Sequence, residues 1–204
     1  MRFELATPSG SAVVDLDRPR GEPKTLLVLT HGAGGGVDTV DLIAIRAAAL
    51  REGWAVARVL QPYRAAGRST PANADKQDEA WLAVLAGLRR RRGLGDIPLI
   101  VGGRSNGARV ACRTATAAGA KAVVALAFPL HPPGRPEQSR LAELAAAKVP
   151  VLVVQGDRDP FGMPPAGKGR KIVVIPGDGH SLRRDPKGLA AHVTSFVTAQ
   201  IARA

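Results

Sequence analysis

Residues 99–109 read Leu-Ile-Val-Gly-Gly-Arg-Ser-Asn-Gly-Ala-Arg, and this stretch decides the fold. An apolar run stops at Gly-x-Ser-x-Gly and continues into Ala-, Arg- and Thr-rich sequence, which predicts a strand, a sharp turn and a helix. The serine at the bend is Ser105. In such a nucleophile elbow the turn is strained, and Gly103 and Gly107 lack the Cβ atoms that would clash where strand and helix approach. The pattern predicts a serine hydroxyl presented above the edge of a sheet.

Acidic and basic partners for this serine follow two later apolar runs. Residues 151–156 precede Asp157 and Asp159, and residues 173–175 precede His180. The chain order Ser, Asp, His is the one expected for a triad built around a nucleophile elbow. Because open α/β sheets place their sites outside the carboxyl ends of the strands, we expect these side chains to converge at one edge.

An early glycine-rich stretch has the character of an oxyanion loop. Residues 26–30, four apolar residues and Thr30, lead into His-Gly-Ala-Gly-Gly-Gly at 31–36. This stretch resembles the oxyanion loop of esterases, which also lies between an early strand and a helix. Its small residues let the backbone approach a substrate closely.

Length and composition favour one domain spanning residues 1–204. A hydrophobic fraction of 45% argues against disorder. No apolar run reaches the ~18 residues needed to cross a bilayer, and the N-terminus lacks the apolar region of a signal peptide. The single cysteine, Cys112, cannot form an internal disulfide. We therefore expect a cytoplasmic protein with no membrane association.

The charge balance is basic, with 29 Lys and Arg against 17 Asp and Glu, a net charge of +12. Nucleic acid is one partner that such a charge suits. The charges are dispersed, however, and the densest group, residues 89–92, closes a predicted helix, where cations offset the negative end of the helix dipole. Aromatic residues make up only 3% of the chain and leave little material for base stacking. We expect no nucleic-acid partner.

A coarse reading of periodicity gives an N-terminal hairpin followed by alternating strands and helices. The hairpin is predicted at 2–5 and 12–16, and buried strands at 26–30, 54–60, 97–102, 121–127, 150–155 and 171–175. Helices are predicted around the apolar sets Leu42, Ile45, Ala49; Trp81, Leu85, Leu88; Ala108, Ala111, Cys112, Ala115; and Leu189, Val193, Phe196, Val197. Continuous apolar strands between amphipathic helices indicate a parallel sheet covered on both faces. Loops 61–74, 129–138 and 160–169 are expected to shape a pocket.

Four phrases of the sequence make it resemble the α/β-hydrolase family over nearly the whole chain. They lie at 31–35, 102–107, 129–134 and 155–162. They are similar to those of a small, lidless, dienelactone-hydrolase-like subgroup of predicted hydrolases. One branch of that subgroup includes a subunit of a chromatin acetyltransferase complex. The resemblance implies a three-layer α/β sandwich with a mostly parallel central sheet, helices on both faces and no separate lid domain.

The resemblance also implies roles for three side chains. Carried over residue by residue, Ser105 is the nucleophile, His180 the general base and Asp159 the acid that orients the imidazole. Asp157 is the competing acid, and the family pattern favours Asp159 because it is the third residue after Gly156. The alternative for Ser105 is an ordinary helix N-cap.

The remaining assignments concern the backbone and two loops. The backbone N–H groups of Asn106 and Ala33 are implied as the oxyanion hole. Gly34 and His131 are candidate substrate contacts, the latter in a proline-rich loop that is expected to reach the cleft. His31 is expected to bond loop backbone in a structural role.

Neither a metal nor a cofactor is expected. Residues 162–168 match the first seven positions of a phosphate-binding P-loop, but Gly169 stands where the magnesium-binding Ser or Thr belongs. Residues 32–34 begin like a dinucleotide fingerprint, but Val37 replaces its last glycine. The four histidines are scattered and there is no cysteine pair.

Together these features predict a serine hydrolase that cleaves an ester or thioester of small to medium size through an acyl-enzyme. The alternative is a hydrolase-fold module that binds another protein and has little or no catalytic activity.

Overall fold

The computed structural model describes residues 1–202 and is built on one eight-stranded sheet. Its strands are β1 (Arg2–Thr7), β2 (Gly10–Asp17), β3 (Leu26–Thr30), β4 (Ala55–Leu60), β5 (Leu99–Arg104), β6 (Ala122–Leu126), β7 (Val151–Gly156) and β8 (Arg170–Ile175). Across the sheet their order is β1-β2-β4-β3-β5-β6-β7-β8. The β1–β2 and β2–β4 pairs are antiparallel and the others are parallel, so the sheet is mostly parallel as the sequence predicted.

Helices cover both faces of this sheet. They are α1 (Val40–Arg51), α2 (Pro62–Ala65), α3 (Ala74–Arg89), α4 (Asn106–Thr114), α5 (Leu141–Ala145) and α6 (Pro186–Ile201). Helices α3, α4 and α5 contribute to the hydrophobic core on one face, and α1 and α6 to the core on the other. No helix within residues 1–202 is long and apolar enough to cross a membrane.

Strand β3 shows why the apolar runs of the sequence are continuous. Its five residues are all buried. Leu26 and Val28 point into the core of α3 and α4, whereas Leu27 and Leu29 point into the core of α1 and α6. Because successive side chains alternate between two buried faces, nearly every position of such a strand is apolar; the buried Thr30 at the end of β3 satisfies its hydroxyl by donating to the Val59 carbonyl at 2.8 Å.

Three details differ from the sequence expectation. The short helices α2 and α5 occupy segments for which no helix was predicted, and α2 begins with Pro62, a residue suited to the first helical turn. Strand β8 was expected to be buried but is an edge strand, so one side is open and Val174 is 45% exposed. Strand β5 extends to Arg104 because Gly102 and Gly103 remain paired in the sheet.

The single cysteine and the arginine cluster both have structural surroundings. Cys112 is fully buried in α4, as expected, and burial raises the pKa of its thiol to about 12. Helix α3 ends at Arg89, whose guanidinium donates to the Gly95 carbonyl. Arg91 lies 3.4 Å from the centre of the Phe3 ring, a cation–π contact.

Candidate active site

The turn between β5 and α4 is a strained elbow. Ser105 has φ 51° and ψ −114°, a conformation that non-glycine residues rarely adopt. It is held by its own backbone, because its N–H donates to the Leu126 carbonyl at 2.9 Å and its carbonyl accepts from Ala108 at 3.0 Å. Its side chain makes no capping hydrogen bond to α4, so the N-cap alternative leaves the hydroxyl unexplained.

The two glycines of the motif permit the close approach of strand and helix. A Cβ added at Gly103 would lie 2.8 Å from the Gly107 carbonyl carbon and 2.8 Å from the Thr30 oxygen. One added at Gly107 would lie 2.7 Å from the His31 oxygen. Both distances are shorter than side chains tolerate against backbone, so only glycine fits at these positions.

A continuous hydrogen-bonded chain links the three side chains singled out in the sequence. His180 Nε2 lies 2.8 Å from Ser105 Oγ, and His180 Nδ1 lies 2.8 Å from Asp159 Oδ2. Because an ionised carboxylate only accepts, Nδ1 carries the proton and Nε2 is left to accept from the serine hydroxyl. The Asp159 side chain is 1% exposed and that of His180 23% exposed. The acid is therefore buried, whereas the imidazole still reaches solvent.

The competing acid lies elsewhere. Asp157 Oδ1 accepts from the Gly177 N–H at 2.7 Å and so ties the end of β7 to the loop that follows β8. Among residues 1–202, the His180 ring bonds Asp159 and not Asp157. A Cβ at Gly156 would meet the Asp178 carbonyl carbon at 2.6 Å, so this glycine allows the loop that carries His180 to pass close to β7.

Gln155, which sequence reasoning missed, holds the buried acid. Its Nε2 donates to Asp159 Oδ2 at 2.8 Å and to the Gly162 carbonyl at 3.0 Å. The other carboxylate oxygen, Oδ1, accepts from the Phe161 N–H at 2.9 Å. Gln155 is fully buried, and its one signal in the sequence was a polar residue near the end of an otherwise apolar strand. These donors hold the Asp159 carboxylate in the orientation in which it contacts the imidazole.

The loops around His180 bring the other predicted histidine near the site. The Phe161 ring packs on the His180 imidazole with centroids 4.2 Å apart. His131 N–H donates to the Phe161 carbonyl at 3.1 Å, and its ring lies against Gly162. Phe161 therefore lies between His131 and His180 and contacts both.

The glycine-rich loop lies directly beside the nucleophile. A Cβ at Gly32 would be 3.2 Å from Ser105 Cβ, whereas one at Gly34 would meet nothing within 4 Å. Tyr63 Oη donates to the Ala33 carbonyl at 2.7 Å. Burial raises the pKa of Tyr63 to about 12, so the phenol keeps its proton at neutral pH. Within residues 1–202, the N–H groups of Ala33 and Asn106 donate to no other residue.

His31 has a structural place in that loop. Its Nε2 accepts from the Gln61 N–H at 3.0 Å, and its Nδ1 lies 2.7 Å from the Gly32 carbonyl. The first contact requires an unprotonated Nε2 and the second a proton on Nδ1, so the ring is neutral. Burial lowers the pKa of His31, which agrees with this tautomer.

Arg104 and Asp41 form a second support that the sequence did not reveal. Arg104 donates to the His180 carbonyl at 2.6 Å, and its Nε lies 3.2 Å from Asp41 Oδ2. Asp41 lies in the first turn of α1 and is fully buried. A buried carboxylate needs a nearby cation, so the pair fixes the guanidinium that holds the His180 loop.

Replacing Arg104 with methionine is expected to weaken both folding and catalysis. Arg104→Met leaves the Asp41 carboxylate buried without a cation, which costs about 3–5 kcal/mol in the free energy of unfolding. Arg104→Met/Asp41→Asn removes that charge and is expected to recover stability in urea unfolding. Because the His180 carbonyl still lacks its donor, kcat of the double variant is expected to stay lower by up to about 100-fold. Wild-type kcat in a stable double variant would contradict this role of Arg104.

The sheet, the elbow and the position of the site at the carboxyl ends of β5, β7 and β8 together define an α/β-hydrolase fold. The family model described as "Alpha/beta hydrolase domain" matches residues 23–186. The chain therefore belongs to the α/β-hydrolase family, and the resemblance drawn from the sequence is confirmed. Searched against curated protein sequences, the chain matches none.

Solved structures share this fold along almost the whole chain. Est1E from Butyrivibrio proteoclasticus is 20% identical with a TM-score of 0.80, covering 98% of this chain and 99% of that one. XC6422 from Xanthomonas campestris, a serine hydrolase without a lid, is 20% identical with a TM-score of 0.78, covering 98% and 94%. An esterase of Pyrobaculum calidifontis is 18% identical with a TM-score of 0.69, covering 97% and 85%. As in XC6422, the part of this chain that the structure describes has no separate lid domain.

Proposed function

We propose that the protein is a serine hydrolase that cleaves an ester or thioester of small to medium size through an acyl-enzyme. The observation that carries this proposal is the chain of two 2.8 Å hydrogen bonds from Ser105 Oγ through His180 to the buried Asp159. A strained serine that makes no cap and contacts an imidazole held by a buried carboxylate has the geometry of an activated nucleophile.

In the first half of the reaction, Ser105 Oγ attacks the carbonyl carbon of the substrate while His180 Nε2 takes the hydroxyl proton. The negative charge that develops on the carbonyl oxygen is stabilised by the N–H groups of Asn106 and Ala33. Asp159 stabilises the imidazolium without taking its proton. The bond to the alcohol or thiol then breaks, and His180 delivers the proton to the leaving atom.

In the second half, water replaces the alcohol. His180 Nε2 takes a proton from the water as its oxygen attacks the acyl carbon, and the same two N–H groups stabilise the oxyanion again. When the intermediate collapses, the proton returns to Ser105 Oγ and the carboxylic acid leaves. The cycle uses only groups of this chain and one water molecule.

The similar structures support hydrolase chemistry on this fold. XC6422 is described as a serine hydrolase, and the Pyrobaculum calidifontis protein as an esterase. Asp159 and His180 are proposed as acid and base because of their hydrogen bonds in this chain. Gly34 and His131 stay candidate substrate contacts, because we expect a bound ester to lie between the glycine-rich loop at 31–36 and loop 160–169.

Fluorophosphonate labelling tests the proposal without a known substrate. We expect the wild-type protein to gain the mass of one adduct, located on Ser105 by peptide mass spectrometry, because a serine with a working base and oxyanion hole attacks phosphorus readily. His180→Ala is the matched variant, and it is expected to label far more slowly while remaining folded. A folded wild type that does not label would contradict the proposal and favour the alternative of a protein-binding module.

A further inference from the structure

A cavity of about 430 Å³ lies beside the candidate site, between the loop that follows β4 and the first turns of α3. Six of its lining residues are Gln61, Tyr63, Ala66, Ala72, Gln77 and Ala80. Its volume falls at the lower end of the range of about 300–1,000 Å³ for small-molecule sites. Ser105 and His180 are not among the lining residues, so the cavity does not contain the nucleophile itself.

Two side chains of the cavity wall form hydrogen bonds with the two residues assigned to the oxyanion hole. Tyr63 Oη donates to the Ala33 carbonyl at 2.7 Å, and Gln77 Oε1 accepts from Asn106 Nδ2 at 2.6 Å. Both Tyr63 and Gln77 are buried. The cavity wall therefore contacts both residues whose N–H groups are proposed to receive the carbonyl oxygen of the substrate.

The topology of the sheet gives the cavity a direction relative to the base. Gln61 follows β4, which lies on one side of β5, whereas His180 follows β8 on the other side. His180 must donate its proton to the leaving atom, so the alcohol or thiol departs on the His180 side. An acyl group that extends away from the leaving group would extend toward β4, the side of the sheet on which the cavity lies.

We infer that this cavity receives the acyl group of the substrate, an uncharged aliphatic or aromatic acyl group of modest size; the inference rests on the proposed serine hydrolase. The buried amides of the wall are already committed, since Gln77 Nε2 donates to the Ala72 carbonyl at 2.6 Å and Gln61 Nε2 to Thr30 Oγ1 at 3.2 Å. The surface that the wall offers to a ligand is therefore mainly apolar and is formed by the Tyr63 ring, Ala66 and other small side chains.

The charged residues of the cavity lie at its rim. Arg68, Lys76 and Glu79 are all exposed and comprise two cations and one anion. Charges of both signs in contact with water select weakly for a charged ligand, because solvent and counter-ions screen them. Selection in this cavity is therefore by the length and shape of the acyl group.

A pair of tryptophan variants tests the inference. Ala72 lines the cavity, whereas Ala74, two residues further on, is exposed and lies outside it. The readout is the ratio of kcat/KM for p-nitrophenyl octanoate to that for p-nitrophenyl acetate. We expect Ala72→Trp to lower this ratio by about tenfold or more, because filled volume excludes the longer chain. Ala74→Trp is expected to keep the wild-type ratio.

Each outcome bears on a separate claim. An unchanged ratio in an Ala72→Trp protein that still labels with fluorophosphonate would overturn the acyl cavity and leave the hydrolase standing. If Ala72→Trp instead lowers kcat/KM only for acetate esters of longer alcohols, the cavity binds the alcohol part of the substrate, and the inference is overturned as well. Failure of the wild type to label would overturn the proposed function and this inference together. If Ala72→Trp does not fold, Ala66→Trp serves instead, because Ala66 lines the cavity from an exposed position. The same decrease in the octanoate-to-acetate ratio is expected for it.

Discussion

Ser105→Ala is expected to remain folded and to lose nearly all ester hydrolysis. Removing the oxygen that attacks the carbonyl eliminates the acyl-enzyme, and the loss in kcat for a triad serine is about 10⁶-fold. Alanine keeps the Cβ that packs against Gly32 and leaves the hydrogen bond from the Ser105 N–H to Leu126 in place. The measurement is hydrolysis of p-nitrophenyl butanoate, with circular dichroism and urea unfolding as the check on the fold.

The matched control for this variant is Ser195→Ala. Ser195 is exposed on α6, far along the chain from the elbow, and its replacement is expected to leave kcat unchanged. Substantial hydrolysis by Ser105→Ala, after its mass has excluded wild-type contamination, would assign the activity to a different nucleophile.

Asp159→Asn is expected to lower kcat by about 10⁴-fold, the loss that follows when a triad acid becomes an amide. An amide nitrogen facing His180 Nδ1 favours the ring tautomer with its proton on Nε2, which then cannot accept from Ser105 Oγ. The amide also carries no charge to stabilise the imidazolium. Because Asn is nearly isosteric, the Phe161 N–H keeps its acceptor, and a turned Gln155 side chain can present its unpartnered Oε1 to the new amide nitrogen, so the fold is expected to persist.

Asp157→Asn is a demanding control for that prediction. The two carboxylates lie two residues apart at the end of the same strand, but Asp157 bonds the Gly177 N–H and not the imidazole. Its replacement keeps an oxygen that accepts from Gly177, so we expect near wild-type kcat. A large loss in Asp157→Asn with little loss in Asp159→Asn would reverse the assignment of the acid.

Much of the fold was predictable because its signals are local. Residues 26–29 are all apolar because β3 is buried on both faces, and the predicted bounds 26–30 match the structure. The edge strand β8 carries a similar apolar pattern, but within residues 1–202 no further strand pairs with its outer edge, and Val174 is 45% exposed. A strand's place in the sheet order cannot be read from its own residues.

The supports of the candidate site were not predictable in the same way. Arg104 meets the His180 carbonyl across 76 positions of sequence, and Gln77 meets Asn106 across 29. An arginine or glutamine in a helix or at a strand end is ordinary in a sequence. Each becomes informative only when burial forces its polar atoms to find partners.

What the sequence by itself determined is the order and the backbone of the site. Glycines at 103 and 107 permit the elbow, the chain order puts acid and base after later strands, and parallel strands bring their carboxyl ends to one edge. What only the tertiary structure decided is which carboxylate contacts His180, what fixes the His180 loop and that a cavity lined by Tyr63 and Gln77 opens next to the site. These depend on distances between side chains from separate elements, which packing sets and local sequence does not encode.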